Sequence, residues 1–146
     1  MVVVYKIRGC TVHDAAPLAR NNMPAFWTDI HWRLTWTGWE LEQIIAECTK
    51  RMPQNLLKHR TTLRHEMAVD DAGNTLGYAR WVLPKRVAGN KAWVSAQTPA
   101  VDAASEKEYA KLFNSARWAT DSSAMVLGHP MAAVMERLMK DKDYIG

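Results

Sequence analysis

Between Thr62 and Pro84 the chain runs through two stretches of strand character, Thr62 to Val69 and Leu76 to Leu83, separated by Asp70-Asp71-Ala72-Gly73-Asn74-Thr75. Asp, Gly and Asn supply the backbone conformations and local hydrogen bonds that a hairpin connection needs, so the two runs are expected to be antiparallel neighbours. Alternation puts Leu63, His65, Met67 and Val69 on one face of the first strand, with Thr62, Arg64, Glu66 and Ala68 on the other. In the second run Leu76, Tyr78, Arg80 and Val82 alternate with Gly77, Ala79, Trp81 and Leu83, and neither set is cleanly polar. A sheet covered on both sides, or one with a lined pocket on one side, fits this better than a hairpin lying on the surface.

The rest of the chain supplies the cover. Val2 to Arg8 reads as a strand stopped by Gly9, and Thr11, with Asp14 three positions on, begins a helix to about Trp27. Its apolar stripe is Ala15, Leu18, Ala19, Asn22 and Phe26, and Pro24 kinks or ends it. Phe26 to Trp39 has no clean period and predicts a loop or short turns. A second helix carries Leu41, Ile44, Ile45, Cys48 and Met52 and is bent or ended by Pro53. The basic segment from Gln54 to Arg60 then leads into the hairpin.

Beyond the hairpin, Lys91 to Val101 is ambiguous and in part extended. Ser105 and Glu108 form a capping-box pattern for a helix with Tyr109, Leu112, Phe113 and Ala116 on one face, and Asp121-Ser122-Ser123 breaks the chain again. A last helix begins near Pro130, with Met131, Val134, Met135 and Leu138 as its stripe.

Length allows one domain over residues 1–146, and 48% hydrophobic with 23% charged residues fits a globular fold rather than disorder. The architecture expected is α/β, of the α+β kind, with a small mixed or antiparallel sheet packed with helices. A net charge of +4 spread along the chain, without a block of Lys or Arg, argues against a nucleic-acid partner. Met1 to Tyr5 is too short an apolar run for membrane insertion, and Cys10 and Cys48 lack the spacing of a zinc site or redox dithiol. A reducing, cytoplasmic compartment is the expectation.

The initial strand, the capped helix starting Thr11-Val12-His13-Asp14-Ala15, the second helix and the hairpin ending Gly77-Tyr78-Ala79-Arg80-Trp81 resemble the front part of a GNAT-type N-acetyltransferase, in particular fungal-like members. Met135-Glu136-Arg137-Leu138-Met139 followed by Asp143-Tyr144-Ile145 resembles the segment leading into the family's acetyl-CoA-binding strand. The resemblance implies a truncated GNAT-like domain. Family members continue into a glycine-containing loop whose amides cradle the coenzyme pyrophosphate at a helix start. The present sequence has no Gly-x-Gly unit, so no cofactor is expected.

Seven Trp against two Phe is the unusual feature of the composition. Trp27, Trp32, Trp36 and Trp39, with His31 among them and Arg80 and Trp81 from the hairpin, are candidates to line a pocket, because flat indoles hold apolar or cationic groups. Core packing or an interface explains the same residues. His65, held by a strand beside Leu63 and Met67, is the acid–base candidate. Arg64 and Glu66 share the opposite face and, joined by Tyr78 or Arg80 across the hairpin, would polarise a carbonyl or bind a carboxylate. A buried core histidine and an ordinary cross-strand charge network are the plain alternatives. The sequence contains no His-Glu-x-x-His, Gly-x-Ser-x-Gly or Walker motif, and no metal site is expected.

The reading these residues support is a cofactor-independent isomerase or cyclase, pericyclase-like and suited to secondary-metabolite biosynthesis. It would hold a small apolar or carbonyl-containing molecule in an aromatic pocket and act as a homodimer that covers its sheet edge. Two alternatives stand beside it: the front portion of a GNAT-type N-acetyltransferase that needs its missing half, and a noncatalytic interaction module.

Overall fold

The computed structural model describes residues 4–118 together with residues 134 and 137. The start of the first strand at Val2 and Val3, the break at Asp121-Ser122-Ser123, most of the helix expected after Pro130 and the Asp143-Tyr144-Ile145 segment lie outside the described residues. Within them the fold is mixed α/β. Strands β1 (Tyr5–Gly9), β2 (Leu63–Asp70) and β3 (Thr75–Val82) form one antiparallel sheet with β2 in the middle. Helices α1 (Ala15–Trp27), α2 (Ile30–Leu34), α3 (Leu41–Leu57) and α4 (Ala103–Ser115) complete the described elements, with short 3₁₀ turns at Val12–Asp14 and Val94–Ala96.

The hairpin closes as its residues dictate. Asp70 Oδ1 accepts from the backbone amides of Ala72 (3.0 Å) and Asn74 (2.7 Å), while the Asn74 side chain donates to Asp70 Oδ2 at 2.8 Å. Gly73 takes the left-handed conformation the turn requires, at φ +85°. Leu63 stands opposite Val82, His65 opposite Arg80 and Met67 opposite Tyr78, until an irregularity at Ala68/Val69.

One sheet face is covered by helices. Met67 and Val69 join Leu18, Ala19 and Met23 of α1 and Ile44, Ile45, Cys48, Met52 and Leu56 of α3 in a single core. Leu18 and Ile44 have no exposed surface, and burial of this kind contributes on the order of 2 kcal/mol per side chain. The α1 stripe differs from the expected one: Met23 takes the inward place, Asn22 is only partly covered and Phe26 is half exposed. Neither internal proline ends its helix. Pro53 is buried and α3 continues to Leu57, so Gln54 to Leu57 are helical rather than a basic connector. Leu56, with 1% of its surface exposed, anchors that last turn, and its burial outweighs the backbone hydrogen bond that Pro53 cannot make.

Thr11 and Asp14 meet as expected at the entry to α1: the Asp14 carboxylate accepts from the Thr11 amide at 2.7 Å and from its hydroxyl at 3.0 Å. Arg8 of β1 adds a two-pronged ion pair to the same carboxylate, at 2.6 and 2.9 Å. In α4 the cap is Asp102 rather than Ser105, since Asp102 Oδ1 accepts from the amides of Ala104 and Ser105, both at 2.9 Å. The ambiguous stretch after Lys91 adds no strand. It forms turns and a 3₁₀ segment lying over the other sheet face at Gly9, where any Cβ would collide with the Ser95 carbonyl oxygen.

Candidate functional site

The tryptophans converge. Trp27 ends α1, and Asp29 Oδ1 accepts the His31 amide at 2.8 Å to start α2. Thr35 and Thr37 hydroxyls donate to the Trp32 and Leu34 carbonyls at 2.6 and 3.1 Å, and Gly38, at φ +80°, turns the chain back. Glu40 then begins α3, its amide donating to Gln43 Oε1 at 2.9 Å. Successive local bonds of this type fold Phe26 to Glu40 into a tight knot that points several rings at one another.

Centroid distances run 6.2 Å from Trp27 to Trp32, 5.5 Å from Trp32 to Trp36, 5.8 Å from Trp36 to Trp39 and 4.6 Å from Trp36 to Trp118, all tilted or edge-on. These are the geometries that aromatic quadrupoles favour. Beside this cluster lies an open groove of about 370 Å³ lined by Trp27, Ile30, Arg33, Leu34, Trp36, Thr37, Gly38, Trp39 and Glu40. The Arg33 guanidinium lies 4.9 Å from the centre of the Trp27 ring. Trp36 is the floor, only 3% exposed, and its indole Nε1 has no hydrogen-bond partner among the described residues.

Of the residues expected to bind substrate, Trp27, Trp36 and Trp39 line this groove and Trp32 backs it. His31 is exposed and engages Asp29 only through its backbone. Arg80 and Trp81 belong to the sheet and do not reach the groove lining. Ile30, Leu34 and Glu40 were not singled out by the sequence. Arg33 was visible among the tryptophans, but the fold that lays it over Trp27 was not.

The four expected catalytic residues divide between the two sheet faces. His65 is 2% exposed, and its Nδ1 lies 2.7 Å from the Tyr78 hydroxyl, the two rings being stacked at 6.0 Å. Burial, then the charges of Arg80 and Arg64, lower the imidazole to about 4, so it is neutral at ordinary pH. Burial pushes Tyr78 up to about 12 and the Cys10 thiol to about 12.

Arg64 and Glu66 are on the opposite face, and Tyr78 does not join them. The register pairs Met67 with Tyr78 and His65 with Arg80, which corrects the expected link. Glu66 instead accepts from Trp81 Nε1 at 3.2 Å. Arg64 is fully buried and donates to the carbonyls of Arg60, Leu63, Gly89, Ala92 and Trp93. Its donors tie the 89–93 loop to the sheet, which is a structural use rather than a site for carbonyl substrate.

Among the described residues no three His, Cys, Asp or Glu side chains come together so as to hold a metal ion, and no helix is long and apolar enough to cross a membrane. No family model, curated protein or solved structure matches the chain.

Proposed function

We propose that the Trp27–Trp39 groove is a small-molecule site and that the protein is a cofactor-independent isomerase or cyclase. The single observation that carries this reading is the convergence of Trp27, Trp36 and Trp39 on one groove with Arg33 and Glu40 at its lining. Indole faces hold an extended apolar substrate in a compact, reactive conformation, which lowers the entropic part of a rearrangement barrier. The Arg33 donors bind an oxygen-bearing polar group of the substrate and hold its apolar body against the indoles, and Glu40 is a residue of opposite charge in the same lining. His65, buried, and the partly buried Tyr78 lie on the helix-covered sheet face away from the groove lining and are assigned a positioning role.

The order of strand, helix, short helix, helix and hairpin supports relating the domain to GNAT-type acyltransferases as a repurposed relative. Two buried free thiols, Cys10 and Cys48, fit a reducing cytoplasm. The test is to incubate the pure full chain with unsaturated ketones and polyenes without added coenzyme, looking for a product of unchanged mass, and to repeat it with Trp39→Ala. Turnover that falls at least tenfold in the variant supports the proposal. Acyl transfer from acetyl-CoA, with no coenzyme-free conversion, overturns it.

One observation favours a second reading, an interaction module that pairs two copies. Phe26 and the groove-lining Ile30 and Leu34, spaced four apart, are 50%, 67% and 51% exposed. Apolar side chains placed together in this way mark interaction surfaces. Sedimentation showing a dimer that Ile30→Glu converts to monomer, with no small-molecule turnover, would favour that reading.

A further inference from the structure

Resting on the assignment of the groove as a small-molecule site, we infer that its ligand class is a flat apolar monocarboxylate, with the carboxylate bound by Arg33. A guanidinium stacked on an indole uses its face and leaves its in-plane N–H donors directed outward. The Arg33 guanidinium carbon lies 4.9 Å from the centre of the Trp27 ring, within cation–π reach. Among the described residues no acceptor takes a hydrogen bond from its guanidinium and no carboxylate lies within 4.0 Å of it.

The contrast with other arginines is informative. Arg8 is paired with Asp14, Arg60 donates to the Thr98 carbonyl at 2.8 Å and Arg64 serves five carbonyls. Arg51 also stacks, on Phe113 and Trp118, but within the packing of α4 against α3. Arg33 is the one of these that lines the tryptophan groove while its fork is unspent. A planar carboxylate matches that fork in geometry and charge.

Glu40 sets the orientation. Glu40, at the start of α3, is also a lining residue and forms no ion pair with Arg33, so a second anionic group on the ligand meets like charge at that end. The indoles take the flat body between these ends. At about 370 Å³ the groove is near the lower end of the range for small-molecule sites, which suits a ligand of two fused rings or a short polyene acid.

The experiment titrates the full chain with 2-naphthoate, 2-naphthalenemethanol and 2,6-naphthalenedicarboxylate by calorimetry, with the indole N–H resonances in NMR spectra reporting the site. The expected order is naphthoate tighter than the alcohol by about tenfold or more, as a charge-assisted hydrogen bond gives, with the dicarboxylate weaker than naphthoate. Arg33→Gln, at an exposed position, is expected to weaken naphthoate binding at least tenfold and alcohol binding by less, so that the preference for naphthoate is lost, with the circular dichroism spectrum unchanged. Equal binding of acid and alcohol, or a preference that survives in Arg33→Gln, overturns the carboxylate assignment and leaves the groove as a site. Failure of all three probes to bind overturns the groove reading and this inference with it.

Discussion

Across the β2–β3 pair the His65 imidazole and the Tyr78 phenol lie 13° from parallel, with His65 Nδ1 2.7 Å from the Tyr78 hydroxyl oxygen. The two residues are not direct cross-strand partners: Arg80 faces His65 and Met67 faces Tyr78, so the contact is a diagonal one on the helix-covered face. It joins two polar side chains in a largely apolar layer, and burial there favours the neutral ring over the charged one.

That constraint has a direction in pH. The unfolded chain takes up a proton on this imidazole near its ordinary 6.5, whereas the folded one does so only near 4. Between these values the unfolded state binds more protons, so stability is fully present above about 6.5 and is lost as pH falls through the window, by at most about 3 kcal/mol from this group. Asp14 acts lower down. Its burial alone would raise its pKa, but the Arg8 and Thr11 hydrogen bonds outweigh that and hold it below the usual range, so its contribution is lost only in stronger acid. Urea denaturation at pH 7 and pH 5 measures the His65 part. His65→Gln is expected to flatten the dependence between those values, and an unchanged slope in that variant would remove His65 as its source.

Tyr78→Phe deletes the hydroxyl and leaves both ring nitrogens of His65 without a partner among the described residues, since Nε2 has none already. The expected loss is about 1–3 kcal/mol, seen as a lower urea midpoint at unchanged slope. Trp81→Phe is the control on the other face. Its indole N–H bond to Glu66 is long, at 3.2 Å, and the residue is partly exposed, so removing it should cost less than about 1 kcal/mol.

Local chemistry made the hairpin readable before its surroundings were known. Asp70, Gly73 and Asn74 dictate the turn through bonds within five residues, and the period-two pattern from Leu63 to Val69 sorts His65, Met67 and Val69 onto one face, the one that the helices cover. What could not be read is the strand register, which an irregularity at Ala68/Val69 and the turn length jointly set, and which decides that Tyr78 belongs to His65 and not to Glu66. The tryptophan groove shows the same divide. Composition marked Trp27, Trp36 and Trp39, but the position of Arg33 over Trp27 follows from how Asp29, Thr35 and Gly38 fold the connector. For Arg64 the sequence shows a cation on a strand and not the five carbonyls around it, three of which a later loop brings.

Those carbonyls make Arg64 a test of long-range structure. Arg64→Met fills much of the same volume but leaves part-buried carbonyls of the 89–93 loop without their donor, each costing up to about 1–3 kcal/mol to the extent that water does not replace it. The variant should lose at least about 3 kcal/mol, and hydrogen exchange should quicken at the amides from Gly89 to Ala96 before it does in β2. Arg64→Lys retains the charge and should recover only part, because one ammonium cannot reach acceptors on both Arg60 and Gly89 sides of the fork. Uniform loss of protection across the whole domain would mean that the loop is not held by this residue in particular.

The same loop meets β1 at Gly9, and there a single methyl group decides the packing. Gly9 has a negative φ, so its role is to leave space rather than to adopt a conformation denied to other residues. An alanine Cβ would enter the Ser95 carbonyl, and because that atom is backbone it moves only if the whole 94–96 turn lifts. Overpacking of this sort costs about 1–3 kcal/mol. Lifting the turn would also part Trp93 from Trp81, whose rings are 5.8 Å apart. Gly9→Ala should therefore lower the urea midpoint and change the near-ultraviolet circular dichroism of the Trp81–Trp93 pair together, while leaving the indole N–H resonances of Trp27 and Trp39 unshifted. A Gly9→Ala protein as stable as the parent, with an unaltered aromatic spectrum, would show that the 94–96 turn does not press on the sheet at this point.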